Sequence, residues 1–413
     1  MLSKHVIKLV EQAVQELGLK KWEYYVEPGS KKGDNYIGVI YRVIVTGLNS
    51  NGATVKSSLI AKLAPENEIR REKFQVVDCF AREKFTYETI LREMTKMQVD
   101  HKVCSQDRFI SDVKVYGLSV EEGKECFLME DITTKGYQMW DRSKPLDFDH
   151  TLLVMEQLGK FHGISFALKD QKPELFKKIS CIDDVVFSSE EYFIELVPYF
   201  NIFIDKAIST LEDDETEAKD KMIQFKNNFM KIMFDGVKAS FAEPYAVFCH
   251  GDCWTNNMMF KYENGKPCSL ILLDWQTSRY SSPATDLTYM LFCSTDGPLR
   301  DQHYERLMKS YYKSLCSHIE ALGSDPKKLF PYEALETQLK SFGQFGLGMT
   351  IYDLPHLIAN SEDLKDVDEL AESLENNGDL ALGSIELLNE KTEPLYRARM
   401  RDVIADCIKY KYL

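Results

Sequence analysis

Residues 245–274 read as strand inside a region whose periodicity is otherwise helical, and that island constrains the whole chain. It contains Val247-Phe248-Cys249-His250-Gly251-Asp252-Cys253-Trp254-Thr255-Asn256-Asn257-Met258-Met259-Phe260. It continues into Leu270-Ile271-Leu272-Leu273-Asp274-Trp275-Gln276. Apolar runs this short fit buried strands, so the polar residues between and after them belong on loops at strand ends. Helical patterns flank the island at 149–169, 189–212 and 216–239, and again from 300 to the end.

The N-terminal third has a different period. Residues 1–25 read as an amphipathic helix, then 36–46 and 54–64 as two strands of a hairpin turned at Asn49-Ser50-Asn51-Gly52. A long helix is expected over 68–98, and short strands over 107–118 and 125–132. The expected fold class is α+β. A small antiparallel β-rich lobe with one helix would span 1–132, a connection 133–148, and a large, mainly helical lobe 149–413. That two-lobed outline is protein-kinase-like. The acidic run at 362–379 is expected to be a solvated helix or loop.

The island also carries the chemistry. Phosphoryl transfer needs a carboxylate to orient the attacking hydroxyl and take its proton, and hard oxygen ligands to hold Mg²⁺ on the phosphates. Asp252 suits the first task. Asn257 follows five residues later on the same loop and offers an amide oxygen. Asp274 ends an apolar strand, which places its carboxylate at a strand end. The order matches the kinase catalytic loop H-R-D-x-x-x-x-N, with Gly251 in place of Arg and Asp-Trp-Gln in place of Asp-Phe-Gly. A surface loop with incidental polar residues is the alternative.

On these motifs the sequence resembles the CHK-like, or ecdysteroid kinase-like, kinases, relatives of choline kinases and aminoglycoside phosphotransferases. The resemblance runs from about residue 30 to 400. It implies Asp252 as catalytic acid–base, Asn257 and Asp274 as metal ligands, and His250 as a brace of the catalytic loop. It implies that the segment containing Asn35 and Tyr36, between Gly33 and Gly38, covers the phosphates. Lys62 lies in an apolar strand, and Phe80-Ala81-Arg82-Glu83-Lys84-Phe85-Thr86-Tyr87 matches the family's F-x-x-E-x-x-x-Y pattern. Glu83 would then aim Lys62 at the α- and β-phosphates; the alternative for Lys62 is an exposed strand lysine. Backbone near Glu130 and Ile132 would read the adenine. Asp286 would support the catalytic loop, or cap a helix. His162 reads as a packed structural histidine.

The implied activity is ATP-dependent transfer, with Mg²⁺, to the hydroxyl of a small molecule. Aromatic residues at 192–203 and 342–352 would suit a steroid-like or other lipophilic alcohol, or pack as core. Choline-type acceptors and an inactive nucleotide-binding scaffold are the alternatives. A protein kinase is disfavoured, because about ten residues separate Asp-Trp-Gln from the next helix and no Ala-Pro-Glu follows. A zinc site at Cys249, His250 and Cys253 lacks structural zinc spacing. The net charge of −14, from 65 acids against 51 bases, argues against a nucleic-acid partner. No signal peptide or membrane insertion is expected, and ten scattered cysteines without a CxxC pair fit a reducing cytoplasmic location.

Overall fold

The computed structural model describes residues 2–30, 37–111, 113–187, 189–364, 366–375 and 387–413. Asn35 and Tyr36 lie outside the described residues.

The chain opens with α1 (Lys4–Glu16), which is shorter than the periodicity predicts. Gly18 and Lys21 take positive φ, and the chain turns into strand β1 (Lys20–Pro28). The reason is a change of period: Trp22, Tyr24 and Val26 alternate and pack on the core formed by Val6, Val10 and Val14 of α1. β2 (Val39–Leu48), β3 (Thr54–Leu63), β4 (Val115–Ser119) and β5 (Cys126–Glu130) complete an antiparallel sheet of order β1-β2-β3-β5-β4. The helix expected over 68–98 is divided. α2 (Glu68–Lys73) ends where Gln75 takes φ 47°, α3 (Val76–Phe85) follows, and a π-turn at Thr86–Ile90 leads into α4 (Leu91–Asp100).

Residues 137–139 of the expected connection form β6 (Tyr137–Met139), which pairs with the large lobe. There the helices are α5 (Phe148–Gln171), α6 (Pro173–Ile179), α7 (Glu190–Ile208), α8 (Thr216–Val237) and α9 (Ala239–Ala242). After the island come α10 (Pro283–Ser294), α11 (Gly297–Ala321), α12 (Pro326–Leu329), α13 (Tyr332–Ile358), α14 (Val367–Glu375) and α15 (Glu393–Lys409). The island folds as β7 (Val247–Cys249), β8 (Met258–Glu263) and β9 (Lys266–Leu272), with β10 (Arg279–Ser281) beside β7. β6, β8 and β9 form a second small sheet.

α5 runs close against α11 because Gly159 lets the backbones approach: a Cβ there would lie 2.6 Å from the Tyr311 carbonyl oxygen. One core joins the lobes, with Phe80 of α3 and Phe127 of β5 packed together with Met259 of β8 and Ile271 of β9. Burying such side chains is worth roughly 2 kcal/mol each, and here that energy fixes the cleft above the island. The acidic run is only partly solvated. α14 packs on α2, where Asp368 reaches Arg70 at 3.1 Å and Glu372 accepts from Asn67 at 3.1 Å. A buried arginine needs a counter-charge, which the periodicity alone does not reveal. Among the described residues, no helix is long and apolar enough to cross a membrane.

Candidate active site

The loop after β7 is built around one buried carboxylate. Ser282 caps α10, and Asp286 sits in that helix's first turn. Its oxygens accept the backbone N–H of His250 at 2.6 Å and of Gly251 at 2.9 Å, and meet His162 Nε2 at 3.3 Å. Burial pushes the Asp286 carboxyl up, but His162, His250 and the backbone donors outweigh it and hold the group below its usual range.

His250 ties two loops together. Its Nε2 lies 2.9 Å from the Leu273 carbonyl oxygen, so Nε2 carries the proton, and Nδ1 accepts the Asp252 N–H at 3.2 Å. Burial lowers its pKa and keeps the ring neutral, which this pattern requires. Gly251 takes φ 86°, and a Cβ there would come within 2.0 Å of the Thr277 carbonyl oxygen. Arg279 donates to the Gly251 carbonyl at 2.9 Å and pairs with buried Asp184 at 2.9 Å. Gly therefore stands where the kinase motif has Arg because the turn at Thr277, leading into β10, fills that space.

Asn257 lies on the turn Thr255–Asn257, held by Leu273 N–H donating to its carbonyl at 2.9 Å. Its Nδ2 donates to the Asp252 backbone oxygen at 3.0 Å and to Asp252 Oδ2 at 2.8 Å. Tyr289 places its hydroxyl 3.0 Å from Asp252 Oδ1. Burial and then Asp274 push the Asp252 carboxyl up to about 6, against the hydrogen bonds from Tyr289 and Asn257. Asp274 follows β9 with φ 65°, a left-handed residue at a strand end.

Lys62 of β3 is buried and reaches three oxygens. Glu83 Oε2 lies at 2.6 Å, Asp274 Oδ1 at 2.7 Å and Gln276 Oε1 at 3.3 Å. It is not an exposed strand lysine. Burial favours the neutral amine, yet Asp274 and Glu83 more than offset this and raise its pKa. Burial likewise raises the Glu83 carboxyl, opposed by Lys62.

Two cavities meet here. One, of about 220 Å³, is lined by Lys62, Glu83, Glu130 and Ile132. Its rim is fastened at Asp131, whose carboxylate accepts from Arg42 at 2.9 Å and Ser58 at 2.6 Å. The other, of about 230 Å³, is lined by Asp252, Phe193, Tyr199, Phe200, Phe229 and Tyr352, among others. Asn257 and Asp274 line both. Of the aromatic residues read as cleft lining or core packing, Phe203, Phe342 and Phe345 are core.

Sequence reasoning missed Gln276, Arg279, Tyr289 and Asp353. Tyr289 lies three residues past Asp286, one helical turn along the same face. Asp353 is a lone acid in the apolar run Thr350-Ile351-Tyr352-Asp353-Leu354, which is a readable anomaly. His162, Cys249 and Asp286 approach within metal-ligand range of one another. Burial holds the Cys249 thiol protonated, and Asp286 is already bonded to backbone, so the cluster is structural. Cys249, His250 and Cys253 do not form the zinc site weighed above, since both His250 nitrogens are engaged.

Among solved structures the chain is similar to the Plasmodium vivax ethanolamine kinase, at 12% identity and a TM-score of 0.40, covering 96% of this chain and 91% of that one. It is also similar to a GDP complex of wild-type aminoglycoside 2'-phosphotransferase-IIIa, at 10% identity and a TM-score of 0.41, covering 95% and 98%. No curated protein matches the sequence. The model of the ecdysteroid kinase-like family matches residues 32–324, most of the lobe sequence and all of the catalytic island, and the chain belongs to that family.

Proposed function

We propose that this protein transfers the γ-phosphoryl group of ATP to the hydroxyl of a small, lipophilic alcohol. The observation that carries the reading is the junction of the two cavities. Lys62 and Glu83 line one, Asp252 lines the other, and Asn257 and Asp274 line both. In-line transfer needs such a layout, with phosphates on one side, acceptor on the other, and oxygen ligands between.

The donor set fits Mg²⁺. Asn257 uses its Nδ2 on Asp252, and Asp274 uses Oδ1 on Lys62. Among the described residues, Asn257 Oδ1 and Asp274 Oδ2 take no hydrogen bond, which leaves two hard oxygens. Mg²⁺ bound there would neutralise charge on the phosphate oxygens. Lys62, aimed by Glu83, neutralises the adjoining phosphates. Glu130 and Ile132 border the space for the adenine, and Asn35 and Tyr36 belong to the segment assigned to cover the phosphates. Asp252 orients the acceptor hydroxyl and takes its proton as the new O–P bond forms and the bond from the γ-phosphorus to the bridging oxygen breaks, releasing ADP; His250 holds Asp252 in place.

The acceptor cavity is walled by aromatic and aliphatic carbon, which suits a steroid-like or other lipophilic alcohol better than a bare cation. All ten cysteines are unpaired, which suits the reducing cytosol.

The test is ATP consumption over a panel of steroid alcohols, choline and ethanolamine, with mass spectrometry of the product. A phosphorylated alcohol should appear, and Asp252→Ala should lower turnover by about a thousand-fold or more while nucleotide still binds. Undiminished turnover in that variant would overturn the assignment.

A further inference from the structure

Behind Asp252 the acceptor cavity holds a third acid, besides Asp274. Asp353, on α13, is buried and lines the same cavity. The hydroxyl of Tyr289 lies between the two carboxyls, 3.0 Å from Asp252 Oδ1 and 2.7 Å from Asp353 Oδ2. A neutral phenol has one proton to donate. If both acids were ionised, one buried carboxylate would face the phenol's lone pairs at hydrogen-bond distance. That arrangement is repulsive in a buried site. Both contacts are hydrogen bonds only if the three groups hold two protons between them.

The second proton belongs on Asp353. Asp252 has another donor, Asn257 Nδ2, at 2.8 Å, which favours its ionised form. Among the described residues, Tyr289 is the hydrogen-bond partner of Asp353. The titratable groups facing Asp353 are Asp252 on the catalytic loop and Tyr289 and Cys293 on α10, and none is a cation. On its own helix, His356 is kept neutral by burial. Burial, and then the charge of Asp252, push the Asp353 carboxyl well above the usual range.

We propose that Asp353 is held as the neutral acid and donates to Tyr289, whose hydroxyl then donates to Asp252 and fixes that carboxylate toward the acceptor. Tyr289 and Asp353 are positioning residues. The functional half of this inference rests on reading Asp252 as the acceptor-side base; the protonation of Asp353 does not.

Two measurements test it on the full-length protein. The first is infrared difference spectroscopy at neutral pH without nucleotide. The wild type should show a protonated-carboxyl carbonyl band that disappears in Asp353→Asn and persists in Asp252→Asn. A spectrum in which Asp353→Asn removes no such band overturns the proposal. The second is hydrolysis of Mg-ATP, with water standing in for the acceptor. Asp353→Leu and Tyr289→Phe should lower kcat about ten- to hundred-fold with KM for ATP little changed. Asparagine keeps an N–H donor toward Tyr289, so Asp353→Asn should retain about ten-fold more turnover than Asp353→Leu. Equal losses in the two variants would mean that Asp353 acts as an anion, against the proposal. If the wild type neither hydrolyses ATP nor phosphorylates any alcohol, the phosphotransferase reading fails alone, and the infrared band still decides the state of Asp353.

Discussion

Lys62 stands between Glu83 and Asp274, and Asp252 between Asn257 and Tyr289, so these charged side chains are already partnered. Such pairing does not remove the cost of burying acids side by side. The Asp252 carboxyl is raised from 3.8 to about 6 by burial and by Asp274. The sign of the effect follows from linkage. A raised folded pKa means that folding favours the protonated acid. The stabilisation this provides is complete below pH 3.8 and is lost as pH rises through about 6. Asp252→Asn should therefore unfold at higher temperature than wild type near pH 8, by roughly 3 kcal/mol in the metal-free protein. The advantage should vanish near pH 4. Melting curves across pH check this, and a pH-independent difference would refute it. Asp252, Asn257 and Asp274 could be picked out in sequence because one short loop and one strand end carry them. The Tyr289–Asp353 contact could not, since it exists only where α10 and α13 meet.

At the scale of elements, the loop after β7 keeps its shape because three contacts hold its backbone. Asp286 binds two of its N–H groups, Arg279 its carbonyl, and His250 spans to Leu273. Gly251 is the residue that permits this. At φ 86°, and with Thr277 oxygen 2.0 Å from any added Cβ, alanine must displace the turn at Thr277 or its own loop. Gly251→Ala should cost at least about 3 kcal/mol of stability and abolish turnover. Wild-type denaturation of that variant would show that the loop tolerates the shift. Alternation and turn signals exposed β2 and β3 in the sequence. β1 was hidden because residues 20–28 continue the apolar spacing of α1, and only the positive φ at Gly18 and Lys21 separates the two. The break at Gln75 was equally silent. Its left-handed backbone is set by packing, not by a glycine or proline.

Over the whole molecule, the N-lobe meets the rest through the shared core of Phe80, Phe127, Met259 and Ile271, through Lys62 on Asp274, and through the contact of α2 with α14. There Arg70 binds Asp368 and also donates to the Gly38 carbonyl at 3.2 Å, next to the segment assigned to cover the phosphates. The acidic composition of 362–379 announced charge but not this destination, because pairing across about 300 residues leaves no local pattern. A cover held at its edge as well as by the core must, on the proposed function, unclasp that edge before spent nucleotide can leave. The Asp368 side chain is 44% exposed, so dissolved ions can loosen this clasp. ADP release in stopped-flow should quicken several-fold between roughly 0.05 M and 0.5 M salt. Asp368→Asn should release it quickly at both, turning a salt-governed exit into a constant one.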